Sequence, residues 1–267
     1  MSDISPSSRR IFDILDLVGR SAAPVGVAEV SLRLGMPVSS AHRGLASLER
    51  SDMIATDGNS SRYVLGPLTR RLFFSFFAGF PVRNAAMPHL RRLATATGQT
   101  ASLWVRVGWH VVRIAAIEGA SAVVNRAPLG VTLPMDATRA GLAIIATLPD
   151  ADLDRLSAFT IRHWARKSEG LAQLAATIRR RGFASKADVT GRRPPAIAFA
   201  IGGVDEPAFA ALVIEMPSVG DPAQAWLDLV GEFRDQVAAE PRLHFSPFAH
   251  LDPDSVILPL DGIPYWE

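Results

Sequence analysis

Between residues 8 and 66 the apolar positions form three short helical stripes and one turn-dense hairpin, and few folds can be built from so compact a set. Ile11, Ile14, Leu15 and Val18 recur at i, i+3, i+4 and i+7, one face of a helix. The stretch 19–26 breaks that helix with Ser, Pro and Gly. Val27, Val30 and Leu34 predict a second short helix, closed by Gly35 and Pro37, and Ala41, Leu45 and Leu48 predict a third. Two strand-like pieces follow at 53–56 and 62–65, and the tip between them is Asp57-Gly58-Asn59-Ser60-Ser61, all turn formers. Three helices and a hairpin in this order outline a winged helix.

The remaining chain reads as a separate, mixed unit. Leu68, Leu72, Phe76 and Phe80 lie four apart, and Phe73 and Phe77 widen the stripe. The spacing predicts a linker helix over 67–81, stopped by Pro81, with more apolar face than one small domain covers. Leu90, Leu93 and Ala94 predict a helix ending at Gly98. Leu103, Val105 and Val107 alternate with Ser102, Trp104 and Arg106, a strand period, and Gly108 turns the chain into a second strand at 111–117. A third strand is read at 122–125, helices near 138–147 and 168–181, late strands at 196–201 and 210–216, and a helix at 222–239. Helices separated by antiparallel hairpins are an α+β pattern. The expected domains are 1–66 (winged helix), 67–81 (linker helix), 82–240 (second domain) and a proline-rich tail, 241–267, of no assignable role.

Composition narrows the chemistry. The chain of 267 residues has no cysteine, so disulfides, thiolate metal sites and cysteine nucleophiles are excluded. Its hydrophobic share of 48% suffices for ordered cores. The apolar run at 72–80 is about half the roughly twenty residues that a membrane helix needs. With a polar start at residues 1–6 this gives a cytoplasmic reading, with no membrane partner. A net charge of +2 advertises no global polyanion field. Catalytic signatures are missing: there is no Gly-x-Ser-x-Gly elbow, phosphate-binding loop or dinucleotide fingerprint. The histidines are scattered, and His244, His250, Asp252 and Asp254 would meet around a metal only if the tail folds back. No enzyme activity and no cofactor are expected.

The third helix is the candidate DNA reader. With Ala41, Leu45 and Leu48 inward, Ser39, Ser40, Arg43 and Ser47 face outward. Small hydroxyls let a helix approach a groove and bond phosphate, and Arg43 can hold a guanine edge with two hydrogen bonds. His42 either donates to phosphate or packs between helices. Arg62, on the second hairpin strand, can meet the minor groove or the backbone. Taken alone, such a helix is also an ordinary solvated surface; the order of elements around it favours DNA.

Three blocks in this chain resemble the isocitrate lyase regulator (IclR) family of bacterial transcription factors. The first is Val27-Ala28-Glu29-Val30-Ser31-Leu32-Arg33-Leu34-Gly35-Met36-Pro37, with Ser39-Ser40-Ala41-His42-Arg43, Leu48-Glu49 and the hairpin closure Arg62-Tyr63-Val64-Leu65-Gly66. The second is Leu133-Pro134-Met135-Asp136-Ala137-Thr138-Arg139-Ala140-Gly141-Leu142-Ala143, and the third is Ile178-Arg179-Arg180-Arg181-Gly182-Phe183-Ala184. The resemblance implies a winged helix-turn-helix, a linker helix and a GAF-like effector domain. It also implies a double-stranded, palindromic DNA operator, a homodimer or tetramer, and a small organic effector, an aromatic compound or an organic acid. The chain departs from the family in having Val38 where Lys or Arg is usual, Asp52 where Gly is usual, and Leu142 where Lys is usual. Asp tolerates the left-handed backbone that Gly would supply.

By position, the resemblance assigns effector contacts to Gly130, Val131, Asp188, Ala196, Val213 and Glu215. Strand parity sets Glu215 opposite Leu212, Ile214 and Met216. If it faces the pocket, its carboxylate opposes an anion and favours a hydroxylated or aromatic ligand; the alternative is an edge or surface residue. Asp136 is read as the cap of the helix that follows it. Trp104 and Trp109 either stack on the ligand or fill the core.

Overall fold

The computed structural model describes residues 5–21, 23–58, 60–122, 129–164, 170–185, 196–202, 206–216, 222–244 and 252–256. The chain divides into two compact units, one ending at Ala78 and the other beginning at Gly79.

The first unit opens with α1 (Pro6–Arg20), whose cap Ser5 accepts the Ser8 N–H at 3.2 Å. Then come α2 (Val27–Arg33), α3 (Val38–Arg50), β1 (Ile54–Thr56), β2 (Tyr63–Leu65) and α4 (Pro67–Ala78). Ile14, Leu17 and Val18 of α1 share one buried core with Val30 of α2, Ala41, Leu45 and Leu48 of α3, and Ile54 of β1. Ile11, Leu15, Val27 and Leu34, which the helical period also marked, are only partly buried against this core, and Leu17 joins it from outside the predicted stripe. β1 and β2 pair antiparallel, and Val25 exchanges two backbone hydrogen bonds with Tyr63, which widens the hairpin sheet. Asp52, in the turn from α3 to β1, has φ 58°. This is the left-handed backbone anticipated there.

The linker stripe breaks earlier than expected. α4 ends at Ala78, and Pro81 begins the next helix, α5 (Pro81–Thr97), with Phe80 at its N-cap. Proline's fixed φ suits the first turn of a helix, so here it starts a helix as well as ending one. Phe77 and Phe80 are buried, while Leu72, Phe73 and Phe74 are exposed.

In the second unit α5 ends at Gly98, whose left-handed φ closes the helix. β3 (Ala101–Val107) and β4 (His110–Ile117) form a hairpin, followed by β5 (Thr132–Pro134) and a 3-10 turn at Met135–Ala137. Then come α6 (Arg139–Ile145), α7 (Asp150–Trp164), α8 (Leu171–Arg181), β6 (Ala196–Ile201), β7 (Ala210–Glu215) and α9 (Gln224–Ala239). The sheet order is β5-β4-β3-β7-β6, antiparallel throughout. The edge strand β5 lies beside β4, with Leu133 opposite Val111. The strand read at 122–125 lies almost wholly outside the described residues.

Alternation splits the sheet into two buried faces. Trp104, Val111, Leu133, Ala196, Ala198, Ala211 and Val213 join one core with α6, α7 and α8. Leu103, Val105, Leu212, Ile214, Ile197 and Phe199 have the opposite parity and are buried on the side where α5 and α9 pack. The result is an α+β domain with an antiparallel sheet between helical layers. No helix among the described residues is long and apolar enough to cross a membrane.

Candidate functional site

The start of α3 presents an open surface. Pro37 precedes the helix, and Val38, Ser39, His42 and Arg43 are exposed, with Ser40 and Ser47 half-buried. The exposure of His42 removes the helix-packing alternative. The Arg43 guanidinium lies 3.4 Å from Ser40 Oγ, a weak local contact that leaves it able to reach outward. No acidic residue stands in the first turn. Arg62 differs. Its Nε donates to the Pro24 carbonyl at 2.6 Å and its Nη2 to Glu29 at 2.8 Å, so it ties the hairpin to α2 while about half its side chain stays exposed.

The second site is the sheet face under α6. Five of the residues assigned by position lie on or beside it. Ala196 is the register partner of Glu215, and Val213 is the partner of Ser102. Val131 is buried in the α6-side core, and its carbonyl accepts the Arg113 N–H at 3.1 Å; the Gly130 N–H donates to the Arg113 carbonyl at 2.8 Å. Asp188 lies outside the described residues. Glu215 is only 3% exposed, so the edge or surface alternative falls.

Arg113, which the sequence reading did not single out, is also 3% exposed. It pairs in register with Trp104 and shares the face with Glu215. Burial pushes the Arg113 guanidinium below its ordinary range, and the negative charges of Glu215 and Glu118 push it back. Opposite charges held in a dry sheet face are costlier than an apolar packing unless each is well matched. Ser102 is buried beside them and accepts the Trp104 Nε1–H at 3.0 Å. Both Trp104 and Trp109 belong to the core.

α6 covers this face closely. Its cap is Thr138, not Asp136: Thr138 Oγ1 accepts the Gly141 N–H at 3.0 Å, while Asp136 sits half-buried in the preceding 3-10 turn. A Cβ on Gly141 would stand 2.0 Å from the Met135 carbonyl oxygen, so only glycine lets α6 fold back on that turn. Arg139, at the first position of α6, is 8% exposed. Among the described residues no group of side chains suited to a metal forms, and His250 lies outside them. Asp252 and Asp254 bind Arg155, and His244 Nε2 contacts the Val237 carbonyl at 2.9 Å.

A small helical unit with an exposed reading helix, followed by an antiparallel-sheet domain with a polar buried face, defines a DNA-binding regulator with a sensory domain. Comparison with known proteins agrees. Residues 7–58 match the IclR helix-turn-helix domain, and residues 75–220 match the bacterial transcriptional regulator IclR C-terminal domain. The chain belongs to the IclR family of bacterial transcriptional regulators. It is 28% identical over 242 residues to the HTH-type transcriptional regulator XynR of Escherichia coli K12, an alignment covering 88% of this chain and 93% of that protein. The fold is similar to that of Thermotoga maritima IclR, with TM-score 0.69, 21% identity, and coverage of 90% of this chain and 99% of that one. It is equally similar to an IclR homologue from Microbacterium hydrocarbonoxydans complexed with 4-hydroxybenzoate (TM-score 0.69, 20% identity, 90% and 100% coverage).

Proposed function

We propose that this IclR-family regulator reads a palindromic operator through α3 and releases or holds it according to a small aromatic acid bound on the sheet face under α6. The reading assigns residues 1–66 to DNA binding, 67–81 to the link and 82–240 to effector sensing, in a cytoplasmic homo-oligomer without catalytic activity. Ser39, Ser40, His42, Arg43 and Ser47 form the DNA surface. Arg62 contributes mainly by holding the wing against α2.

The observation that carries the ligand reading is the burial of Arg113 and Glu215 on one face. Glu215 alone would oppose an anion. With Arg113 beside it and Arg139 at the start of α6, the face suits a ligand with an acid at one end and a hydrogen-bond donor at the other. The Microbacterium homologue is described with 4-hydroxybenzoate, which has that chemistry. Gly130, Val131, Ala196, Val213 and Asp188 are the accompanying contacts in this reading.

Two measurements test it. In a gel shift with DNA from upstream of the protein's own gene, Arg43→Ala should weaken binding by about 1–3 kcal/mol. Unchanged binding in a folded variant removes Arg43 from the reader. In a thermal-shift panel, 4-hydroxybenzoate and related hydroxy-acids should raise the melting temperature more than phenol or small di-acids, and Glu215→Gln should abolish that preference. Equal stabilisation of wild type and Glu215→Gln by every compound rejects the assignment of the face.

A further inference from the structure

The turn at 252–256 lies beyond both family-matched regions, yet it is bound to the second unit by a dense set of contacts. Its focus is Trp109, which with Gly108 forms the two-residue turn between β3 and β4. The Trp109 ring is fully buried, and its Nε1–H donates to Asp254 Oδ1 at 2.6 Å. Arg155 of α7 closes the arrangement from the other side. Its Nη2 donates to Asp252 Oδ1 at 2.7 Å and to Asp254 Oδ2 at 2.9 Å, and its guanidinium lies 5.8 Å from the Trp109 ring centre. A second guanidinium, that of Arg106, lies 5.0 Å from the same ring. The Trp109 N–H and the Arg155 charge hold the Asp254 carboxyl below its usual range. The tail also presses on the hairpin backbone. A Cβ on Gly108 would be 2.8 Å from Val256 Cβ and 3.1 Å from the Pro253 carbonyl oxygen.

Trp109 faces two ways. While its indole binds the tail, its carbonyl accepts the Met135 N–H at 3.0 Å. Met135 starts the 3-10 turn that leads into α6, and it is the residue against which Gly141 packs. A continuous line of contacts thus runs from Asp254 through Trp109 and Met135 to the helix that covers Arg113 and Glu215.

We propose that Asp254 is a positioning residue for the effector face: the tail turn fixes Trp109, and Trp109 fixes the Met135 turn and α6. The proposal rests on the sheet face under α6 being the effector site, but its test does not require a ligand. The experiment is hydrogen exchange on the full-length protein, comparing wild type, Asp254→Ala, Arg155→Ala and Asp254→Glu. In Asp254→Ala, amides at 132–146 should exchange about tenfold faster, while those at 38–50 in α3 and 224–239 in α9 keep their wild-type rates. Arg155→Ala should reproduce the pattern more weakly, and Asp254→Glu should restore part of the protection. Acceleration confined to 106–110 and 252–256 would overturn the proposal, because the tail would then be a passive passenger. Uniform acceleration across the second unit would overturn it too, since the tail would serve only overall stability.

Discussion

His110 is fully buried, and burial lowers its pKa from the ordinary 6.5 to about 4 against a smaller opposing contribution from the Val107 backbone. Between those two values the unfolded chain binds a proton that the folded chain refuses. Stability from this group is therefore fully present above pH 6.5 and lost as the pH falls toward 4, by up to ~3 kcal/mol at about 1.4 kcal/mol per unit. Urea unfolding between pH 7.5 and 4 should show a steeper decline for wild type than for His110→Gln; equal slopes would reject the assignment. At the same scale, legibility was uneven. Asp52 was readable because the left-handed backbone is a local property of one residue. Arg113 was not. In Val111-Val112-Arg113-Ile114-Ala115 a single cation interrupts an apolar run and gives no sign of the face it takes. Only the packing of α6, distant in sequence, makes that face an interior one.

Among the elements, periodic ones were legible and interrupted ones were not. α3 carries an uninterrupted stripe, and its buried residues Ala41, Leu45 and Leu48 are the ones that stripe named. α5 was read only from Leu90 because Pro88 sits inside it, and a proline ordinarily marks a boundary. α7, unassigned from sequence, has acids in its first turn and Arg162 and His163 in its last, the charge order that favours a helix dipole. β5 has only three residues and ends in proline, too short for a period to register. The close packing of α6 on the Met135 turn yields a sharp expectation. Gly141→Ala forces a methyl group into backbone that has no flexible end to yield, so it should cost the second unit at least about 2 kcal/mol in denaturant unfolding. A loss under 0.5 kcal/mol, roughly the level of a neutral surface change, would mean that the turn relaxes freely.

At the scale of the whole molecule, the exposed apolar residues of α4 bear on assembly. Leu72, Phe73 and Phe74 are 51%, 43% and 63% exposed, with the Phe73 ring tilted against the buried Phe77 at 4.3 Å between ring centres. Adjacent aromatic side chains left in water are a liability for a lone chain, and a palindromic operator asks for two readers about 34–36 Å or a multiple apart. Sedimentation at micromolar concentration should show a dimer or tetramer, and Phe74→Glu should shift it toward monomer. A monomeric wild type would contradict the homo-oligomer. The order of domains was legible because each unit has its own period. The role of the tail was not, because its anchoring residues, Trp109 and Arg155, are far away in sequence.

Val38, at the first position of α3, is 59% exposed and carries no charge. Where the family resemblance implies a cation, the first position of this helix carries two methyl groups. If α3 reads DNA as proposed, each half-site should displace fewer condensed counterions, and binding should respond less steeply to ionic strength. Replacing Val38 by Arg should steepen the fall of log affinity with log salt by about one for each bound reader. A regulator built this way should owe more of its grip to base edges and groove shape and less to the phosphate field, so its operator occupancy should survive swings in salt that loosen a more cationic relative.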